Sequence, residues 1–460
     1  MAYHLPKMPQ TLRCEWSNKL TLVHHSHNKW EIIMNKFNKT LLASAVLLAS
    51  TQASAAGFQL NSQSATGIGR AMAGDAVIAD NASVLSRNPA AMALFDNTSL
   101  SLGAVYADID VSVSEVTGSY GGQAVDYGSE HDAADSKVIP NFYYINPIDD
   151  KWAFGVAAFS NYGTGTDLTA LADRTPTVGG NAVPLPTPVD LLGNTEVVTI
   201  NLNTSVSYRI NEQWSLGLGL DAVYGSGTLT RTTENPQIGS IVDVEADGWA
   251  LGGIAGVVYE MNANNRFGLS YRLSPTLTAK GDVNYAYSEY NEIDIPIADI
   301  AQFAGFHQLT NDFAVHYTAQ WTNWSKFDRI EVIDGDNGAA QTDLKEYHWK
   351  DSWFLSLGAT YNLTEDWTLR AGIATDDGVV DQHSSLSIPD SDRTWYTAGV
   401  SYDLTNKSSV DFGIAFVRGE DVTVLENSAI LPMVPGLDSE ISAQTRSNAV
   451  YYSVQYNYSF

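Results

Sequence analysis

The chain has 460 residues, with 25 Lys+Arg against 52 Asp+Glu and a formal net charge of −27 at neutral pH. Such acidity argues against nucleic acid as a partner, because phosphates must be neutralised by basic side chains; solvated acidic loops are its ordinary source. The only cysteine, Cys14, excludes an intrachain disulfide as a source of stability.

The first recognisable element is an export signal, residues 34–55. Lys36 and Lys39 form its charged start, Leu41 to Ala49 its apolar run and Ala53-Ser54-Ala55 its small-residue cleavage site. The apolar run is too short to span a bilayer as a helix. Since an export signal works at the beginning of a chain, residues 1–33 are read as a spurious upstream extension. The exported chain then carries 19 basic against 50 acidic residues, a net charge of −31, and no cysteine.

Residues 56–95 follow as a leader rich in Gly, Ala and Ser, with neither strand nor ordinary helix periodicity. A segment with nothing to bury by itself, placed ahead of a train of hairpins, is a candidate plug for a barrel.

Period-two alternation fills residues 96–460. Trp214, Leu216, Leu218 and Leu220 share one parity, against Ser215, Gly217, Gly219 and Asp221. Ile200 to Ile210 and Val450 to Phe460 alternate in the same way, with one apolar face and one polar or small. Aromatics flank short turns: Tyr208 and Trp214 enclose one, Tyr361 and Trp367 another, and looser versions span Tyr144 to Trp152, Tyr259 to Phe267, Leu309 to Phe313 and Tyr402 to Val410. Amphipathic rings favour the headgroup boundary, so this is the girdle of a membrane barrel. The opposite hairpin ends look long and acidic, for example Gly163 to Asn194, Arg231 to Asp247 and Asp282 to Asp294.

Six short turns with both chain ends on the same side give an all-β, 14-stranded antiparallel transmembrane β-barrel, the even-numbered pattern of the Gram-negative outer membrane. So many strands enclose more space than their own side chains fill, and the leader is the expected occupant. No Gly-x-Ser-x-Gly elbow and no metal-spaced His pair occurs after residue 55, so the chain reads as a non-enzyme without a cofactor.

Ala56-Gly57-Phe58-Gln59-Leu60-Asn61, Gly67-Ile68-Gly69-Arg70-Ala71, Ser86-Arg87-Asn88-Pro89-Ala90, Ser160-Asn161-Tyr162-Gly163 and Ser387-Ile388-Pro389-Asp390 together resemble the FadL-type outer-membrane long-chain fatty acid transporters, over essentially all of residues 56–460. The resemblance implies a monomer whose N-terminal hatch, residues 56–95, closes the barrel of residues 96–460. Fatty acid would be captured between outer loops, pass to an apolar lumenal pocket, and leave sideways at an inward kink of strand 3 near Ser160, Asn161, Tyr162 and Gly163.

Phe58 and Leu60 are the expected apolar filler of that pocket, and Asn88, Pro89 and Ala90 a fixed bend at the end of the hatch, where proline restricts the backbone. Arg231 points inward by parity and aligns with a family position near the ligand carboxylate. Lys345 aligns with a second such position, but parity counted from Trp353 turns it outward and Lys350 inward; a bulge or strand end before Lys350 would reconcile the two. The short connection after Arg231 implies an outer groove that is small or built mainly by Asp282 to Asp294. Outer-membrane lipid and lipopolysaccharide are the expected surroundings, with divalent cations as a possible link to the acidic loops. Phe460 is the expected signal to the barrel-assembly machinery. The rival cargo is a neutral or aromatic hydrocarbon.

Overall fold

The computed structural model describes residues 57–233, 239–336, 339–380 and 383–460. The export signal and upstream extension lie outside them.

Among the described residues the chain forms a closed antiparallel barrel of fourteen strands. The strands are β1 (Ser99–Tyr120), β2 (Lys137–Pro147), β3 (Trp152–Phe159, resuming as Gly163–Asp167), β4 (Asn194–Arg209), β5 (Trp214–Thr232), β6 (Ser240–Asn262) and β7 (Asn265–Leu273, extended by Thr276–Tyr285). They continue as β8 (Ser288–Pro296 and Ile300–Gln308), β9 (Phe313–Thr322 and Arg329–Gly335), β10 (Thr342–Glu346 and Ser352–Asn362), β11 (Trp367–Asp376), β12 (Arg393–Thr405), β13 (Ser408–Gly419, extended by Val422–Asn427) and β14 (Glu440–Ser459). β1 closes on β14 in unbroken register from Ser99↔Ser459 to Ser114↔Gln444. Closure of β1 on β14 removes the two free edges that an open sheet would present to lipid.

The alternating parities separate lipid from lumen. Leu216, Leu218 and Leu220 are exposed on the outer wall, whereas Ser215 and Asp221 on either side, of the opposite parity, are buried. Four of the six short turns share one device: the amide of the residue opening the next strand donates back to a polar side chain three positions earlier, as Phe313 does to Thr310 Oγ1 (3.1 Å). Trp152 donates to Asp149 Oδ1 (2.8 Å), Trp214 to Asn211 Oδ1 (2.9 Å) and Trp367 to Thr364 Oγ1 (3.1 Å). Each of these tryptophans meets a tyrosine on the neighbouring strand, with ring centroids 4.6 Å apart for Trp152–Tyr208, 4.5 Å for Trp214–Tyr259 and 4.6 Å for Trp367–Tyr402.

At the opposite end the strands run further than their acidic residues suggest. β5 and β6 continue past Arg231, so residues 233–239 alone connect them. In that extension Val242, Val244 and Ala246 are buried while Asp243, Glu245 and Asp247 are exposed. Above the bilayer the outward face of a strand meets water, so acidic residues on alternate positions are compatible with a strand.

The leader packs inside this ring. Its backbone or side chains bond inward-facing groups on well-separated strands: Ala82 N donates to Ser101 Oγ of β1 (3.1 Å), Tyr143 Oη of β2 to Gln63 O (2.9 Å), and Asn88 Nδ2 to Val257 O of β6 (3.1 Å). Around the remainder, Gly74 N donates to Thr318 Oγ1 of β9 (2.9 Å), Thr397 Oγ1 of β12 to Gly69 O (3.3 Å), and Ala65 N to Gln455 Oε1 of β14 (3.2 Å). Glycines on the wall permit the closest approaches: a Cβ on Gly217 would lie 2.2 Å from Ala90 N, and one on Gly256 1.9 Å from Asn88 Oδ1.

The leader's own order comes from short capped turns. Ser64 caps helix α1 (Ala65–Gly69), and Asn88 caps the 3-10 turn Pro89–Leu94, accepting from Ala90 N at 3.0 Å. Its charges are paired: Arg70 bonds Asp75 (3.0 Å) and Asp80 (2.8 Å), and Asp80 also meets Arg370 of β11 (3.3 Å).

Candidate functional site: an interrupted strand beside two cavities

β3 stops at Phe159 and resumes at Gly163, leaving Ser160, Asn161 and Tyr162 outside the regular strand. Its first segment pairs with β2 only as far as Phe142↔Ala158; its second pairs with β4 alone. Across the interruption, Lys137 to Asn141 of β2 pair with β1 and with no strand on the other side. A gap therefore opens between β2 and β3, capped on the outer side by the bond from Asp167 N to Ala133 O (2.8 Å).

The leader supplies the hydrogen bonds that β2 does not. Gly163 N donates to Phe58 O (2.7 Å), Leu60 N to Asn161 O (2.7 Å), and Gln63 Nε2 to Ser160 O (3.2 Å). Tyr162 is held from the barrel side, its hydroxyl donating to Ala298 O (2.5 Å) and its amide to Thr199 Oγ1 (3.2 Å).

Above this contact lies a small apolar cavity of about 40 Å³, lined among others by Phe58, Leu229, Ile293, Phe327, Tyr347 and Ile388. It has room for only a few waters. The Phe58 ring packs beside it among Tyr162 (5.8 Å between centroids), Trp324 (4.7 Å), Phe327 (5.1 Å) and Trp349 (5.9 Å). Leu60 does not join it: two residues further on, it packs into a separate cluster with Ile68, Met72, Phe354 and Trp395.

A second, open cavity of about 1310 Å³ sits outside the first, and Leu229 and Tyr347 line both. Its walls come mainly from residues 174–191, between β3 and β4, and from 425–434, the end of β13 and its connection to β14. Of the expected 282–294 segment, Tyr285, Ala286 and Tyr287 take part. The groove is thus neither small nor built mainly by that hairpin, because the β7–β8 strands extend upright and leave only their tip at its rim.

Arg231 and Lys345 both line this outer cavity. The buried Arg231 guanidinium donates to Asn194 O (2.8 Å), Thr230 O (2.7 Å) and Thr195 Oγ1 (2.8 Å), and forms no ion pair among the described residues. Lys345 Nζ bonds Glu426 Oε1 (2.5 Å), Ser385 Oγ (2.7 Å) and Ser387 Oγ (3.2 Å).

Lys350 is exposed and lies apart from both cavities. Parity failed for these lysines because β10 is broken over residues 347–351, where His348 takes a left-handed backbone (φ 48°), and because the β9–β10 register shifts between Ile330 and Glu331.

That break forms a polar knot at the cavity rim. Tyr347 N donates to Asp328 O (2.7 Å), while the His348 ring sits between Asp328 and Glu346. Hydrogen bonds from the ring to Asp328 and to Glu346 raise the His348 pKa above its ordinary value. Nearby, burial raises the Asp190 carboxyl, which accepts from Ser428 Oγ (2.7 Å) and Ala429 N (2.6 Å).

Sequence reading missed the cage of Trp324, Phe327, Tyr347 and Trp349 around Phe58, and the partner Glu426. Aromatics crowded into the irregular joints Trp324–Lys326 and 347–351 were the available signal for the cage. None pointed to Glu426, which comes from a strand distant in sequence.

Comparison with known proteins agrees with this geometry. Residues 46–460 match the family described as outer membrane protein transport protein (OMPP1/FadL/TodX). The chain is 35% identical over 431 residues to a long-chain fatty acid transport protein of Salmonella typhi, covering 85% of this chain and 94% of the relative. It is 33% identical over 481 residues to outer membrane protein P1 of Haemophilus influenzae, covering 93% and 100%. Among solved structures, a Pseudomonas aeruginosa FadL homologue superposes with a TM-score of 0.73 at 22% identity, covering 88% of this chain and all of that one. The Ralstonia pickettii toluene transporter TbuX superposes at 0.61 with 18% identity, covering 86% and 98%. At such identities the structures speak for the fold alone.

Proposed function

Because the chain belongs to the OmpP1/FadL/TodX family of outer-membrane transport proteins, we propose that it takes up long-chain fatty acids. The outer cavity captures the ligand, Arg231 and Lys345 receive its carboxylate, and the acyl chain enters the apolar cavity beside Phe58. Exit is lateral, through the gap at Ser160 to Gly163. The carrying observation is that a buried arginine without an ion pair among the described residues borders the passage from an open cavity to an apolar one.

Burial of each CH₂ gains roughly 0.8 kcal/mol, enough to draw a long chain from dilute solution. The inner cavity is too small for such a chain while Phe58 occupies its side, so entry and displacement of the leader's first residues go together. Because Phe58 O also accepts from Gly163 N, that displacement loosens the interrupted strand. The segment through Asn88, Pro89 and Ala90 stays anchored on β5 and β6, and the leader serves as a hatch that shifts at its start. The protein acts as a monomer in outer-membrane lipid, with Phe460 as its signal to the assembly machinery.

Binding of oleate and of a neutral hydrocarbon to wild type and Arg231→Ala tests the reading. Loss of oleate binding in the variant, with the hydrocarbon unaffected, is expected. Equal oleate binding would remove the carboxylate role and favour a neutral cargo. Steady large ion conductance in planar bilayers would defeat a closed barrel.

A further inference from the structure

We propose that Glu426 is an internal competitor for the ligand: its carboxylate occupies the seat at Lys345 that an incoming carboxylate would take. This inference rests on the fatty acid reading and adds to it a residue that sets the preference for anionic over neutral cargo.

The seat has the chemistry of a carboxylate receptor. Lys345 Nζ bonds Glu426 Oε1 at 2.5 Å, and the other oxygen, Oε2, accepts the Leu386 amide at 2.8 Å. Ser385 and Ser387 surround the same ammonium at 2.7 and 3.2 Å. An ammonium and a backbone amide engage both oxygens of one carboxylate, and the two hydroxyls accept from that ammonium and hold it in place. Two features separate this from an ordinary structural ion pair. Lys345 and Glu426 both line the open outer cavity, so the seat lies on the ligand's path. Arg231, on the same cavity, has no such partner among the described residues.

A fatty acid arriving here meets Arg231 and Arg174, which have no ion pair among the described residues, and Lys345, which is already neutralised. It either binds without Lys345 or displaces Glu426, and displacement leaves an acidic group in a wall that also carries Asp190. Opposite charges at contact attract, and like charges there repel. Glu426 thereby holds down affinity for anionic ligands and leaves neutral ligands of the same length untouched. A transporter that must release its cargo gains from such a limit.

The experiment measures binding of oleate and of oleyl alcohol to the full-length barrel in nanodiscs, for wild type, Glu426→Gln, and Glu426→Gln in a Lys345→Met background. Glutamine keeps an acceptor for Leu386 N, and heat-modifiable gel migration reports a closed barrel. Glu426→Gln is expected to tighten oleate by about three- to tenfold, to leave oleyl alcohol unchanged, and to give no gain once Lys345 is absent. Unchanged or weaker oleate binding in Glu426→Gln overturns the proposal, as does an equal gain for the alcohol. If Glu426→Gln fails to close, Glu426→Asp, which retracts the carboxylate by one methylene, gives the same comparison with a smaller gain. The underlying reading fails separately, by oleate binding that ignores Arg231→Ala.

Discussion

The carbonyl of Phe58 accepts the amide hydrogen of Gly163 at 2.7 Å, so the start of the leader completes the backbone of a wall strand that its neighbour β2 leaves open. The leader and the interrupted strand share this hydrogen bond. The Phe58 ring meanwhile fills the aromatic cage beside the inner cavity.

Phe58→Ala should raise oleate affinity, because the acyl chain no longer has to displace a ring. Phe→Ala in a packed cluster costs about 3–5 kcal/mol, but the loss falls on the leader and the barrel ladder stays intact. Equilibrium binding together with heat-modifiable migration checks both points; unchanged or weaker binding would place the acyl chain elsewhere.

Gly217→Ala and Gly256→Ala should push the leader off the wall. Each methyl would meet leader atoms at 2.2 and 1.9 Å, contacts with no room to relax except by shifting residues 88–90. Overpacking typically costs about 1–3 kcal/mol. The combined variant should show raised ion conductance in planar bilayers, where wild type stays closed.

Asp80→Asn should loosen the leader at its tie to β11. Asp80 bonds Arg70 at 2.8 Å and Arg370 at 3.3 Å, tying the leader to β11. Asp80 is itself exposed and Arg70 keeps Asp75 at 3.0 Å, so the cost stays well below the roughly 3–5 kcal/mol of breaking a fully buried pair. Protease cleavage within residues 57–95, absent in wild type, is the readout.

Lys350→Ala should leave oleate binding unchanged, in contrast to Arg231→Ala. The side chain is exposed, and among the described residues only its backbone amide is engaged, donating to Val379 O at 2.9 Å. A loss as large as that of the arginine variant would mean that the lysine swings into the cavity.

The rim knot should loosen as pH rises. Asp328 and Glu346 raise the His348 pKa above its ordinary 6.5, so the folded form holds its proton more tightly than the unfolded one. The contribution is fully present below pH 6.5 and is lost as pH rises through the higher folded pKa. Amide exchange over residues 346–349 should quicken across that window, and His348→Gln should abolish the dependence.

Much of this architecture was legible from residue order. The parity of Leu216, Leu218 and Leu220 against Ser215 and Asp221 marks lipid and lumen, because a strand's side chains have no third direction. Short turns between Tyr and Trp fix which end is which. The position of the interruption at Ser160 to Gly163 came only with the family resemblance, since Asn-Tyr-Gly is ordinary turn chemistry. The reach of β5 and β6 was misjudged because acidic residues look like loop when the outward face of a strand passes from lipid into water.

The sequence by itself determined the barrel, its strand number and the face presented by residues of the uninterrupted strands, since alternation and turn chemistry are local. The tertiary structure decided what lines the ligand's path. Lys345 reaches the cavity because β10 breaks at His348, Glu426 meets it from β13, and Leu60 parts from Phe58 although only one residue separates them. These placements depend on contacts between segments far apart in the chain, and no local pattern encodes where such segments meet.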